Sequence, residues 1–202
     1  MSFEHPSAIE RFIETLYCYR LARPRYAKYV NELNINEDET ILDFGCGGGA
    51  SSKPILNKLS DKGTLICLDT SKQWINKAKK RFKQHDNVIF INEDITTADI
   101  PKESIDIITM TFVLHDISAQ KQDETVKVLA EKLRKNGKLA LREPTKPNHG
   151  IQPNKIHNLM QKNKLIKLHE RYKKSRYFGI FKKYGSSPFL GWEICRFPPD
   201  RV

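Results

Sequence analysis

The sequence predicts an α/β fold: a doubly wound, seven-stranded, mostly parallel sheet with a C-terminal antiparallel hairpin. Three observations carry this expectation. Short continuous apolar runs recur between residues 40 and 143, separated by segments with helical spacing. Strands that are apolar along their whole length belong to parallel sheets covered on both faces. The first run ends in a glycine cluster, Gly45-Cys46-Gly47-Gly48-Gly49, and glycines at a strand-to-helix turn let backbone come close to a ligand. The last segments alternate with period two, as strands with one solvated face do.

Residues 7–33 read as one or two helices, with Pro24 as a break. Thr40–Phe44 is the first strand, and residues 50–59 have the apolar spacing of a helix. Thr64–Leu68 is the second strand; residues 71–83 form a basic helix with Ser71 as its N-cap. Val88–Asn92 and Ile105–Met110 are the third and fourth strands, and a helix covers residues 125–133. The turn signal Asn136-Gly137 precedes a fifth strand, Lys138–Glu143. Pro144 and Pro147 end the alternation; a helix is expected over residues 155–170 and a hairpin of strands over 176–182 and 191–197, joined by Gly185–Pro188. Two units follow: an N-terminal helical lid, residues 1–34, and the main domain, residues 35–202. The lid mixes aromatic and guanidinium groups at Tyr17, Tyr19, Arg20, Arg23, Arg25 and Tyr26, a composition suited to holding a carboxylate.

With 202 residues the chain is long enough for one full core without disulfide or metal staples. No apolar run reaches the ~18 residues of a membrane span, and the N-terminus lacks a secretory pattern. The four cysteines, Cys18, Cys46, Cys67 and Cys195, form no Cys-x-x-Cys pair; Cys67 in an apolar run and Cys46 in the glycine loop read as reduced thiols in a cytoplasmic protein. The net charge is +11, and it is unevenly spread: Lys155–Lys183 holds ten Lys/Arg against one acid, Glu170, a local +9. Such a stretch either attracts an anionic partner or forms the solvated face of a helix. The spacing of Leu159, Leu165, Ile166 and Leu168 favours the solvated face.

The glycine loop and Asp69, at the end of the second strand, outline a nucleotide-type site in which Asp69 accepts ribose hydroxyls. Asp43, two residues before the first glycine, repels a pyrophosphate and suits a ligand that carries an ammonium group. The segment Leu42-Asp43-Phe44-Gly45-Cys46-Gly47-Gly48-Gly49 resembles motif I of class I S-adenosylmethionine (SAM)-dependent methyltransferases. Leu68-Asp69-Thr70-Ser71 resembles the family's second motif, Asn92-Glu93-Asp94-Ile95 the end of its third strand, and residues 135–143 its fifth strand with the preceding turn. The resemblance covers roughly residues 35–197. It implies SAM as cofactor, with Asp43 reaching the methionine ammonium through water and close backbone approach at Gly45 and Gly47. It further implies Asp69 on the ribose, Asp94 and the Ile95 amide on the adenine, and Trp74 against the adenine face.

The stretch Leu114-His115-Asp116-Ile117-Ser118, with residues 123–129 downstream, is similar to that of small-molecule O-methyltransferases. The resemblance makes His115 the catalytic base for an acceptor hydroxyl, with no metal required; an imidazole titrating near 6.5 takes such a proton at neutral pH. Glu143 is a candidate to orient it. The Asn/Asp-Pro-Pro-Tyr/Phe signature of nucleic-acid amino-methyltransferases is absent. The expected function is therefore SAM-dependent methyl transfer to a small molecule, with a hydroxyl as the expected acceptor group. Two alternatives stay open: RNA or protein methylation using the basic segment, with nucleic acid not favoured as partner, and a catalytically silent SAM-binding protein. Neither the acceptor nor the oligomeric state is readable from the sequence.

Overall fold

The computed structural model describes Ile9, Tyr17 and residues 21–184. In chain order the elements are α1 (Arg23–Asn31), β1 (Thr40–Phe44), α2 (Ser52–Leu56), β2 (Thr64–Leu68), α3 (Lys72–Arg81) and β3 (Val88–Ile91). They continue with β4 (Ile105–Thr111), α4 (Ala119–Lys132), β5 (Leu133–Lys146), β6 (His149–Gly150), α5 (Pro153–Lys162), β7 (Leu165–Lys173) and β8 (Arg176–Lys183). The sheet order is β3-β2-β1-β4-β5-β8-β7, with β6 paired to β5 off this path. β1 to β5 run parallel, and β8 is antiparallel to both β5 and β7. This is the doubly wound sheet with an antiparallel end that the sequence predicts.

Alternate residues of each parallel strand enter opposite cores. Leu42, Ile66, Ile108 and Leu139 pack beneath Val126 and Leu129 of α4 and Ile156 and Met160 of α5. Ile41, Leu65, Ile107 and Ala140 pack against Tyr29, Ile55, Ile75 and Phe82 on the other face. Both faces being covered explains why these strands are apolar throughout. The chain winds outward from β1 to β3, returns to the centre at β4, and leaves in the other direction. The carboxyl ends of β1 and β4 therefore flank a topological switch point, where a crevice opens.

Pro24 sits in the first turn of α1, just after a bend at Ala22, where its missing N–H has no helical acceptor to lose. Two elements differ from expectation. The Asn136-Gly137 turn signal becomes a bulge within β5, with Asn136 at φ +67 and the register shifting between Ile105 and Ile107. The largest difference lies in residues 155–170. The helix stops at Lys162; the Asn163 side chain donates to the Leu159 carbonyl at 2.8 Å and Lys164 turns to φ +59. Residues 165–173 are then a strand exposed along nearly its whole length, because it forms the sheet's outer edge. The hairpin is consequently β7–β8, turning at Lys174 (φ +55); the strand expected over 191–197 lies outside the described residues. So do Cys18, Cys195, Tyr19 and Arg20. Among the described residues no helix is long and apolar enough to cross a membrane.

Candidate active site

A cavity of about 1650 Å³ opens over the switch point, larger than the ~300–1,000 Å³ typical of one small ligand. One wall is the loop after β1. Gly45 has φ +68, and the Val113 side chain occupies the place where a Cβ would go. The loop thus turns sharply against the segment after β4, which only glycine permits. Above Gly47 (φ +52) a Cβ would meet nothing, so that stretch of backbone faces open space.

Asp69 ties this loop to the end of β2. Its Oδ2 accepts the Gly47 N–H at 2.9 Å and its Oδ1 the Ser71 N–H at 2.8 Å. Burial raises its pKa, against the lowering effect of those two amides. Trp74, Asp94 and Ile95 line the same side of the cavity with Gly45, Gly47 and Asp69. Asp94 Oδ1 accepts both the amide and the hydroxyl of Thr96, and the Thr96 amide is the main cause of its lowered pKa.

Asp43 does not join them. It is fully buried and lies beneath the loop, outside the cavity lining. Ser51 and Ser52 hydroxyls donate to Oδ2 at 2.9 and 2.6 Å, and Thr109 donates to Oδ1 at 2.8 Å. Three hydroxyls on this carboxylate thus bind β1, the start of α2 and β4 together beneath the loop. The thiol of Cys46 is also buried, and its hydrogen bond to Cys67 together with burial pushes its pKa well up, which leaves it inert as a nucleophile.

Further lining residues come from the ends of β4 and β5. Glu143, fully buried near the end of β5, accepts the Val113 and Leu114 amides at Oε1, at 3.0 and 2.9 Å. Its Oε2 accepts Nδ1–H of His115 at 2.7 Å. The tautomer follows from that bond: with Nδ1 carrying the proton toward the carboxylate, Nε2 is the basic nitrogen. The His115 side chain is 4% exposed. Burial lowers its pKa, but the hydrogen bond and charge of Glu143, with the charge of Asp116, outweigh that and raise it above 6.5. The buried dyad was half legible: His115 stood out in the sequence, whereas Glu143 was one acid at a strand end among many. Nothing in the sequence marked His149, whose ring lies edge-on to His115 with centroids 4.9 Å apart.

The mouth of the cavity is basic. Arg25, Lys28, Arg142, Lys146, Arg171, Lys173, Lys174 and Arg176 all line it. The Arg142 guanidinium sits 5.2–5.4 Å from the rings of Tyr26, Tyr29 and Phe112, and its buried Nη1 has no hydrogen-bond partner among the described residues. From the N-terminal segment, Tyr17 also lines the cavity and accepts a hydrogen bond from Arg25 at 3.2 Å.

Residues 41–137 match the family described as a methyltransferase domain. A ribosomal RNA small subunit methyltransferase H of Clostridium botulinum is 31% identical over 170 residues, 83% of this chain and 50% of that protein. The chain thus spans about half the length of that curated relative. Among solved structures, a SAM dependent methyltransferase from Aquifex aeolicus matches with TM-score 0.71 at 18% identity, covering 85% of this chain and 96% of that one. The N-methyltransferase NodS from Bradyrhizobium japonicum WM9, in complex with S-adenosyl-L-homocysteine, matches with TM-score 0.70 at 13% identity, covering 89% and 94%.

Proposed function

Because the chain carries a class I SAM-dependent methyltransferase domain, we propose that it transfers the methyl group of SAM to a hydroxyl of a small, anionic acceptor. The observation that carries this reading is the His115–Glu143 dyad, whose imidazole lines the same cavity as the glycine loop. When bound, SAM supplies an electrophilic methyl on a sulfonium. The chain's residues fit it: Gly45 and Gly47 present backbone without side chains, Asp69 receives the ribose hydroxyls, and Asp94 with the Ile95 amide receives the adenine edge. Trp74 covers the adenine face. Asp43 acts at one remove, by holding the loop in shape. His115 Nε2 takes the acceptor proton, and Glu143 holds the ring and stabilises its protonated form. Arg142, Arg176 and Lys146, which line the cavity, draw an anionic acceptor into it.

S-adenosylhomocysteine should raise the melting temperature, and NAD should not. A ligand at 100 times its Kd stabilises by about 2.7 kcal/mol, roughly 5–11 °C for a domain of this size. A thermal-shift series with the opposite order would remove the reading. Asp69→Ala should weaken S-adenosylhomocysteine binding by roughly 10–100-fold, as expected for lost charge-assisted hydrogen bonds. Unchanged affinity by calorimetry would withdraw the ribose role.

RNA as acceptor is a second reading, favoured by the name of the Clostridium botulinum relative and by the hairpin cations at the cavity mouth. Against it, four of the segment's ten cations are paired: Lys162 with Asp123, Lys167 with Glu170, Arg171 with Glu32 and Lys183 with Glu103. Binding to transfer RNA and duplex RNA should therefore be weak and vanish near physiological salt. Tight binding there, with a steep log–log salt dependence, would make RNA the acceptor instead.

A further inference from the structure

We infer that His115, Asp116 and His149 form a binding site for a divalent transition-metal ion at the acceptor end of the cavity. The inference rests on the proposed methyl transfer only for the ion's role, and not for its binding.

The three side chains converge from two separate loops. His115 and Asp116 follow β4, and His149 stands on β6, the short strand that folds back on β5. This turn is tight: a Cβ on Gly150 would strike the Pro144 carbonyl, so glycine is what lets the backbone bring His149 this close. One ligand atom from each of the three residues lies within 4.8 Å of the others, and His115 Nε2 is 3.4 Å from Asp116 Oδ1. Ligands at ~2.0–2.2 Å from one ion sit roughly 3–4 Å apart, so small side-chain rotations complete the site.

Two further features suit a metal better than a chance cluster. First, Glu143 receives Nδ1–H of His115 at 2.7 Å. That bond fixes the tautomer and aims Nε2 outward, the carboxylate–histidine support that ligating imidazoles ordinarily have. Second, charge balances. The cluster and its support bring two carboxyl groups, Glu143 and Asp116, beside two imidazoles, a donor set whose charge a divalent ion offsets. That matters because Arg142, Lys146 and Arg176 line the same cavity and would oppose any uncompensated cation. Two nitrogens and one carboxylate oxygen select zinc, iron, manganese, cobalt or nickel over magnesium or calcium, which prefer all-oxygen sites. Three protein ligands leave a coordination position open toward the cavity. An acceptor hydroxyl bound there would ionise more readily, since a bound cation lowers the pKa of its oxygen ligands. An ion and a proton exclude one another on Nε2, so His115 is base in the metal-free protein and ligand in the loaded one.

The test uses the full chain, stripped with a chelator, dialysed, and titrated separately with Co²⁺ and Zn²⁺. One equivalent of Co²⁺ should bind with visible d–d absorption and be displaced by Zn²⁺. His149→Ala and Asp116→Ala should each weaken binding at least tenfold, and Glu143→Gln by roughly 10–100-fold, with S-adenosylhomocysteine affinity in the same samples near wild type. Absence of stoichiometric binding, or wild-type metal affinity in folded His149→Ala, would overturn the site. Metal binding with no S-adenosylhomocysteine binding would uphold the site and remove the cofactor reading instead.

Discussion

In metal-free protein, His115→Ala should lower turnover by roughly 10²–10⁴-fold, the usual worth of a positioned general base, while S-adenosylhomocysteine affinity stays close to wild type. His115 bonds to Glu143 and not to the glycine loop or Asp69, so truncation removes a proton acceptor and leaves those contacts in place. The pH profile gives a second handle. The neutral imidazole is the active form, and its pKa lies above 6.5 because Glu143 and Asp116 outweigh the opposing effect of burial. Wild-type turnover should therefore climb with pH through a limb displaced above 6.5. Glu143→Gln removes the charge that favours the imidazolium, so the limb moves to lower pH. The plateau falls as well, because the ring loses the acceptor that fixes its tautomer. In His115→Ala the deficit should narrow at high pH, where an acceptor hydroxyl ionises unaided. Wild-type turnover in the Ala variant, measured on the acceptor at saturating SAM, would make His115 a packing residue.

Asp43→Ala should cost about 3–5 kcal/mol of stability, since a buried group left without its partner costs ~1–3 kcal/mol and three hydroxyls lose theirs together. At roughly 2–4 °C per kcal/mol for this size, the melting temperature falls by about 10 °C. Cofactor affinity should fall only as the loop loosens, and crowding the variant with S-adenosylhomocysteine should recover part of the loss. An unchanged melting temperature with abolished cofactor binding would restore a direct contact between Asp43 and the ligand.

That Asp43 also clamps its loop from beneath shows what a sequence conveys and what it omits. Residues 42–49 and 68–71 are legible because their meaning is local: a strand end, a left-handed turn, an acid at the next strand's tip. The clamp depends on Thr109, 66 positions away, and a hydroxyl on a distant strand leaves no trace in the motif. Glu143 and His115 are separated by 28 residues and meet only because β4 and β5 lie side by side in register. The misread segment, 163–173, fails for a related reason. Leu165, Ile166 and Leu168 fit a helical stripe continuing from Leu159. At a sheet's outer edge, however, a strand needs little apolar alternation, and pairing to β8 overrides the local pattern. The parallel strands carried no such ambiguity, since burial on both faces writes itself as unbroken apolar runs.

The docking of α1 has a consequence for the order in which the molecule comes together during synthesis. Tyr29 donates its hydroxyl to the Ala140 carbonyl at 3.1 Å and sets its ring edge-on to Phe178 at 5.2 Å. Tyr29, Val30 and Leu33 are all 2% exposed or less in the finished fold. Yet both partners of Tyr29 belong to strands made long after it. At ~5–20 residues per second, the ribosome delivers β8 on the order of ten seconds later. Helix α1 is made early and seats late: until β8 arrives, Tyr29 lacks one of the two strands it docks against. A nascent chain halted before β8 should therefore hold its N-terminal segment undocked and protease-sensitive, and release of β8 should bury it.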